Sequence, residues 1–172
     1  ALTRSDPARA EEAIEDLSDL FRVSLSEAQA QITLREELEV ARIYQRIEQL
    51  RLGDRLQVRW KVADLPAEAI VPSLLLQPLL ENAIGHGIEP LPEGGTVTIE
   101  GHAEGGIATI EVSNPVSATA RAVRAGNRMA LDNIRQRLDL AFPGRASVEV
   151  DEGSTIYRVK IRFPLMAGPA GG

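Results

Sequence analysis

The stretch that most constrains this chain is Leu74-Leu75-Leu76-Gln77-Pro78-Leu79-Leu80-Glu81-Asn82-Ala83-Ile84-Gly85-His86-Gly87. So apolar a run must be buried against other elements, and its length and leucine content read as a core helix. Near its C-terminal end, however, it delivers Glu81, Asn82 and His86, three groups able to hold a proton or to act on a metal-bound phosphate. On periodicity alone this is a buried helix whose last turn surfaces, with Gly85 and Gly87 ending it.

Composition bounds what such a helix can serve. The 172 residues suit one domain with an appendage, or two small ones, and 44% hydrophobic residues can build a sizeable core. Aromatic residues make up only 3%, so that core must be aliphatic. A net charge of −6 argues against nucleic acid as the main partner, because neutralising phosphates requires a basic surface. The chain has no cysteine, which excludes disulfides, thiolate metal sites and thiol nucleophiles. Lys61 and Lys160 are its two lysines, so phosphate contacts would fall to arginine, backbone amides or a metal. No run reaches the length of a membrane span. A start at Ala1, almost directly inside a helical pattern, reads as a piece of a longer protein.

Asp6-Pro7 reads as a helix start, and Ala10, Ile14, Leu17 and Phe21, widened by Ala13 and Leu20, form a helix seam. It is either an amphipathic helix lying on its own domain or one arm of a helical hairpin. Thr33 and Glu36 make a capping box for a second helix, which runs through Leu38, Ile43, Tyr44, Ile47 and Leu50 to a stop at Gly53. Its charges, Glu36, Glu37 and Arg42 among them, are expected on a solvated face. Alternation from Leu56 to Val62 predicts a half-buried strand with Trp60 as a core plug. Val97 and Ile99, then Ile107, Ile110 and Val112, predict a hairpin turning at Gly105-Gly106, with His102 a solvated strand-end histidine. Residues Asn114 to Gly126 have loop composition. A helix is expected from about Met129 through Leu140 to Pro143-Gly144, then strands over 146–150 and 156–163 about an Asp151-Glu152-Gly153 turn. The tail from Met166 to Gly172 is expected to be disordered. This order predicts an α+β two-layer sandwich, helices on one face of a mixed sheet.

The segment from Pro72 to Gly87, above all Gln-Pro-Leu-Leu-Glu-Asn-Ala-Ile-x-His-Gly, closely resembles the N box of the LytS-type sensor histidine kinases, of which the AlgZ (FimS) proteins form one branch. The resemblance implies a Bergerat-type (GHKL) ATP-binding sandwich preceded by helices from a dimerisation hairpin. It implies Asn82 as the ligand of a magnesium ion bridging the nucleotide phosphates, a role that a hard neutral amide oxygen suits. Glu81 is then either a general base, or orienter of the magnesium waters, or a helix-end carboxylate held in a hydrogen bond. His86 and Gly87 would wall the site. Gly126 to Leu138 resembles the family's G box and would place Gly126, Arg128, Met129, Leu131 and Asn133 along the nucleotide, where glycine-rich turns and helix N-termini attract anions. By the same likeness residues 1–32 are the second hairpin helix, 33–53 a connecting helix, 54–165 the catalytic domain and 166–172 a tail.

The chain departs from the family pattern in three motifs. Arg128 and Ala130 stand where the G box has glycines, so Arg128 either blocks the phosphates or pairs with them. Asn114, followed by Pro115, replaces the aspartate that accepts from the adenine amino group, keeping an acceptor oxygen without the charge. Gly85 replaces the usual lysine. Two functions follow as expectations. One is a kinase region binding ATP and Mg2+, phosphorylating an upstream histidine for a response regulator of the LytTR type, as a homodimer anchored in the inner membrane outside these residues. The other is a degenerate nucleotide site kept as a dimerisation and regulator-binding module or phosphatase.

Overall fold

The computed structural model describes residues 31–117 and 124–166, the last two residues of the second block beyond any regular strand, together with Ala8, Glu11, Glu12, Ile14, Glu15 and Leu17, which are helical. Side chains of residues 124–127 are outside the description. So are Asp6-Pro7, the seam positions Ala10, Ala13, Leu20 and Phe21, the loop residues 118–123 and the tail 167–172.

In chain order the elements are β1 (Gln31–Thr33), α1 (Leu34–Leu52), β2 (Leu56–Asp64), β3 (Ile70–Pro72), α2 (Leu76–Asn82) continuing into a π-helical turn (Ala83–Ile88), β4 (Gly95–Glu104), β5 (Ile107–Pro115), α3 (Arg124–Ala141), β6 (Ser147–Glu152) and β7 (Ile156–Pro164). Five strands form one sheet in the order β2-β4-β5-β7-β6. Only β2 and β4 run parallel; the other pairs are antiparallel. The alternation in β4 buries Val97, Ile99 and Gly101, while in β7 it buries Tyr157, Val159, Ile161 and Phe163. These meet Leu79, Leu80, Ile84 and Ile88 of the α2 region and Leu131, Ile134 and Leu138 of α3 in one aliphatic core. The opposite sheet face is charged, with Lys61 paired to Glu100 and Glu111 between Arg158 and Lys160. The result is the expected two-layer α+β sandwich.

Several local expectations hold for a visible reason. Thr33 Oγ1 accepts from the Glu36 amide at 3.2 Å and Glu36 Oε2 accepts from the Thr33 amide at 2.9 Å, the reciprocal capping box. Gly53, at φ 58°, ends α1 in a conformation that costs other residues more. The β4–β5 hairpin turns at Gly105 and Gly106, both at positive φ. His102 is exposed, as expected.

Other expectations are corrected. The short strands β1 and β3, which pair antiparallel, were not foreseen, because three residues show no alternation. Helix α3 begins at Arg124 rather than near Met129, so Gly126 lies within its first turn and not in the preceding loop. Gly85 and Gly87 do not end the signature helix: the chain carries on through the π turn to Ile88. The buried stripe of α1 is Leu34, Glu37, Ala41, Glu48 and Leu52, whereas Leu50 is exposed. Glu37 is thus a core residue and not part of a solvated face. Trp60 is half-buried, its Nε1 donating to Gln45 Oε1 at 2.7 Å with the Arg42 guanidinium 4.9 Å above the ring.

Candidate nucleotide site

Helix α2 starts under unusual backbone constraint. Leu74 has φ 61°, a left-handed conformation disfavoured for a side chain with Cβ, and the chain turns there from β3 into the helix. The first amides of a helix have no intrahelical acceptor. Here the carboxylate of Glu37, 1% exposed on α1, accepts all three: Leu74 N at 3.1 Å, Leu75 N at 2.6 Å and Leu76 N at 2.8 Å. Burial pushes the Glu37 carboxyl above its ordinary range, against the three amides and the charge of Arg137. Arg137, from α3, donates through Nη1 to the carbonyl of buried Ser73 at 3.1 Å. Three elements therefore converge on the start of α2.

Its C-terminal end is different. Asn82 is buried, 7% exposed, and its Oδ1 has no hydrogen-bond partner. Its side chain hydrogen-bonds with Tyr157 of β7, which must engage the amide nitrogen because the oxygen is unpaired. An unsatisfied buried carbonyl oxygen carries a desolvation cost of about 1 to 3 kcal/mol, which a water or an ion offsets; Gln77 Oε1 and Arg55 Nε are buried and unpartnered as well. A divalent cation fits that oxygen. Among the described residues no cluster of three or more His, Asp or Glu forms a cage, so a cation there would draw on phosphate and water oxygens, as magnesium does.

Beside Asn82 the π turn brings Gly87 against Asn114. A Cβ on Gly87 would lie 2.7 Å from Asn114 Cγ and 2.9 Å from its Cβ, so glycine is required by close approach. Asn114 is buried at the end of β5, opposite Tyr157 in the sheet register, and its Nδ2 donates to the Pro115 carbonyl at 2.9 Å. His86 is half-buried; burial holds its imidazole below the ordinary value, opposed by the charge of Glu89. Asn82, Gly87, Asn114 and Tyr157 thus form one patch where β5, β7 and the π turn meet.

Of the other expected residues, Glu81 and Asn133 line a cavity of about 620 Å³ between α2 and α3, with Gln77, Gln136, Arg137 and apolar neighbours. Glu81 accepts from Gln77 Nε2 at 3.1 Å, the held helix-end carboxylate that was one of its two readings. Arg128 is exposed, as is Met129 at 73%, whereas Leu131 is a core residue beneath α3. Of the expected residues the fold therefore brings together Asn82, Gly87 and Asn114. Sequence reasoning missed Tyr157, which it placed in the strand over 156–163 and nothing more, and Glu37, whose carboxylate looked like one charge among several on a helix.

A family model described as histidine kinase matches residues 1–56. The chain is 28% identical to the sensor histidine kinase BtsS of Escherichia coli strain K12 over 95% of its own length and 29% of that protein's. It is 33% identical to YpdA of the same strain over 81% of this chain and 26% of that one. With the sensor protein LytS of Staphylococcus saprophyticus it shares 30% identity over 95% of this chain and 30% of that one. The chain thus spans less than a third of the length of these relatives. Among solved structures, the catalytic domain of histidine kinase ThkA matches with a TM-score of 0.57 at 11% identity, covering 78% of this chain and 93% of that one. The histidine kinase domain of the blue-light activated kinase of Erythrobacter litoralis matches with a TM-score of 0.58 at 20% identity, over 94% of this chain and 76% of that one. The fold is accordingly the GHKL fold of histidine kinase catalytic domains. In sequence along nearly its whole length, and in fold over its described residues, the chain is a relative of the sensor histidine kinases.

Proposed function

We propose that this chain is the Mg-ATP-binding catalytic region of a sensor kinase of the LytS type, in the AlgZ (FimS) branch. In this reading it phosphorylates a histidine upstream of these residues, from which the phosphoryl group passes to a response regulator of the LytTR type. The observation that carries the reading is the unpartnered, buried Oδ1 of Asn82, set in the GHKL fold beside Gly87 and Asn114. One solved structure with the same fold, ShkA, is described as a complex with AMPPNP, which supports a nucleotide at such a site.

In this reading Asn82 holds magnesium, which neutralises phosphate charge. Tyr157 fixes the Asn82 amide so that its oxygen faces the ion. Asn114 supplies an acceptor for adenine, with Gly87 leaving room for its side chain. Gly126, Arg128, Met129 and Asn133 border the nucleotide, and an exposed guanidinium at Arg128 is free to pair with phosphate where a glycine-rich loop would use backbone amides. Leu131 supports them from the core. Phosphoryl transfer needs positioning and charge neutralisation more than covalent chemistry from the protein, so Glu81 serves as base or water-orienter only if it releases Gln77. Residues 1–32 act as a dimerisation-hairpin helix and 33–53 as the connecting helix. The catalytic domain is 54–165, followed by a tail over 166–172. The region works on the cytoplasmic side, in a homodimer anchored in the inner membrane through segments outside this chain. Among the described residues no helix is long and apolar enough to cross a membrane.

The test is calorimetric titration with a non-hydrolysable ATP analogue, with and without magnesium, of the chain and of Asn82→Ala. Magnesium-dependent binding lost in the variant is the expected result. A folded chain that binds no analogue at millimolar concentration would replace this reading with the regulator-binding scaffold.

A further inference from the structure

Glu37 is a buried carboxylate that the nucleotide chemistry does not use. It sits on α1, accepts from the amides of Leu75, Leu76 and the left-handed Leu74, and lies within the field of Arg137. From Leu76 the helix runs without interruption to Asn82, so a rigid rod joins the capped amides to the unpartnered oxygen. The same α1 also holds the far side of the π turn. Arg51 pairs with Glu48 at 2.5 Å and with Glu89, which follows the turn, while Arg55 just beyond α1 donates to the carbonyls of Glu89 at 2.9 Å and Leu91 at 2.8 Å. Glu11 of the N-terminal helical residues reaches Arg51 at 3.9 Å. The α2 segment is thus gripped at both ends from one neighbouring helix.

We infer that Glu37 is a positioning residue for the Asn82 site: its carboxylate, with Arg137 strapping Ser73, fixes the start of α2 and thereby the placement of the Asn82 oxygen. This rests on the nucleotide reading above. A buried carboxylate is expensive to keep, and an apolar residue at position 37 with an ordinary N-cap at Leu75 would build the same core. Keeping the charge on α1 instead makes the geometry of the metal ligand depend on where α1 stands.

The experiment compares the chain with Glu37→Gln and with Arg137→Met, which leaves the cap but removes the strap. The dissociation constant of the ATP analogue is measured with and without magnesium, and amide exchange is followed at Leu74, Leu75 and Leu76 and in β5 and β7. Glu37→Gln is expected to weaken magnesium-dependent binding about tenfold, the scale on which groups that orient a metal ligand act, and to leave magnesium-free binding nearly unchanged. Exchange at Leu74 to Leu76 should quicken while β5 and β7 stay protected. Arg137→Met should show a smaller loss of the same kind. Magnesium-dependent affinity within about twofold of wild type, or equal losses with and without magnesium, would overturn the inference. If Glu37→Gln does not fold, Arg137→Met decides by the same criteria. A wild-type chain with no magnesium-dependent binding would instead remove the nucleotide reading, a result that the variants are not needed to see.

Discussion

The two ends of α2, Leu76 and Asn82, differ in how their polar groups are held. At its start the backbone amides of Leu74, Leu75 and Leu76 are taken up by Glu37 and the Ser73 carbonyl by Arg137, although the side-chain Oε1 of Gln77 in the first turn is buried and unpartnered. At its end the Asn82 oxygen is left unpaired in the core. Satisfied polar groups hold a fold together, whereas an orphaned one is a cost that folding alone does not explain. The contrast is between backbone groups capped from α1 and α3 and a side-chain oxygen at Asn82 that the described residues leave open.

The comparison breaks most visibly if the two ends are truncated in turn. Glu37→Ala should destabilise the chain by about 3 kcal/mol, since it strands three buried amides and the nearby guanidinium charge. Asn82→Ala should cost less, about 1 kcal/mol, because the oxygen it removes makes no bond and the one hydrogen bond lost is that of its amide nitrogen with Tyr157. Urea unfolding of both variants checks the asymmetry, and equal losses would erase it. Gly87→Ala should cost about 2 kcal/mol by forcing the Asn114 side chain aside, an overpacking effect. The same variant should disturb the Asn114 resonances first in a side-chain amide spectrum. Thr33→Ala, which removes half of the capping box at the start of α1, should cost about 1 kcal/mol and leave α2 untouched. The smallest expected effect is a pH slope. The His86 pKa is lowered by burial from 6.5, so the unfolded chain binds more protons just below that pH. Stability should therefore rise with pH through the window ending near 6.5 and be lost as pH falls through the folded pKa. In His86→Gln that slope should flatten, which unfolding curves taken across that window would show.

Much of this was legible in the residues. The capping box at Thr33 and Glu36, the glycines of the β4–β5 turn and the alternation of β4 and β7 are local signals, decided by neighbours in sequence. The order Glu81-Asn82-Ala83-Ile84 within an apolar run marked the metal-ligand candidate through its resemblance to the N box of the LytS-type kinases, whereas the apolar pattern alone announced a buried helix. Glu37 was not legible. Beside Glu36 and Glu39 it belongs to an ordinary charged helix face, and only the arrival of Leu74 to Leu76, far along the chain, makes it an internal cap. Tyr157 was legible only as part of the strand over 156–163, since its neighbour Asn82 comes from a distant helix. The first turn of α3 was hidden for a different reason, because Ala125, Gly126 and Asn127 carry no apolar period to announce a helix.

The sequence by itself determined the class of fold, the caps and turns, and the placing of an amide, a carboxylate and an imidazole at the end of one buried helix, since each depends on residues a few positions apart. Tertiary structure alone decided which of those polar groups would be satisfied. Whether a buried donor or acceptor finds a partner depends on side chains brought in from other elements, and for Glu37 and Asn82 those elements lie tens of residues away along the chain.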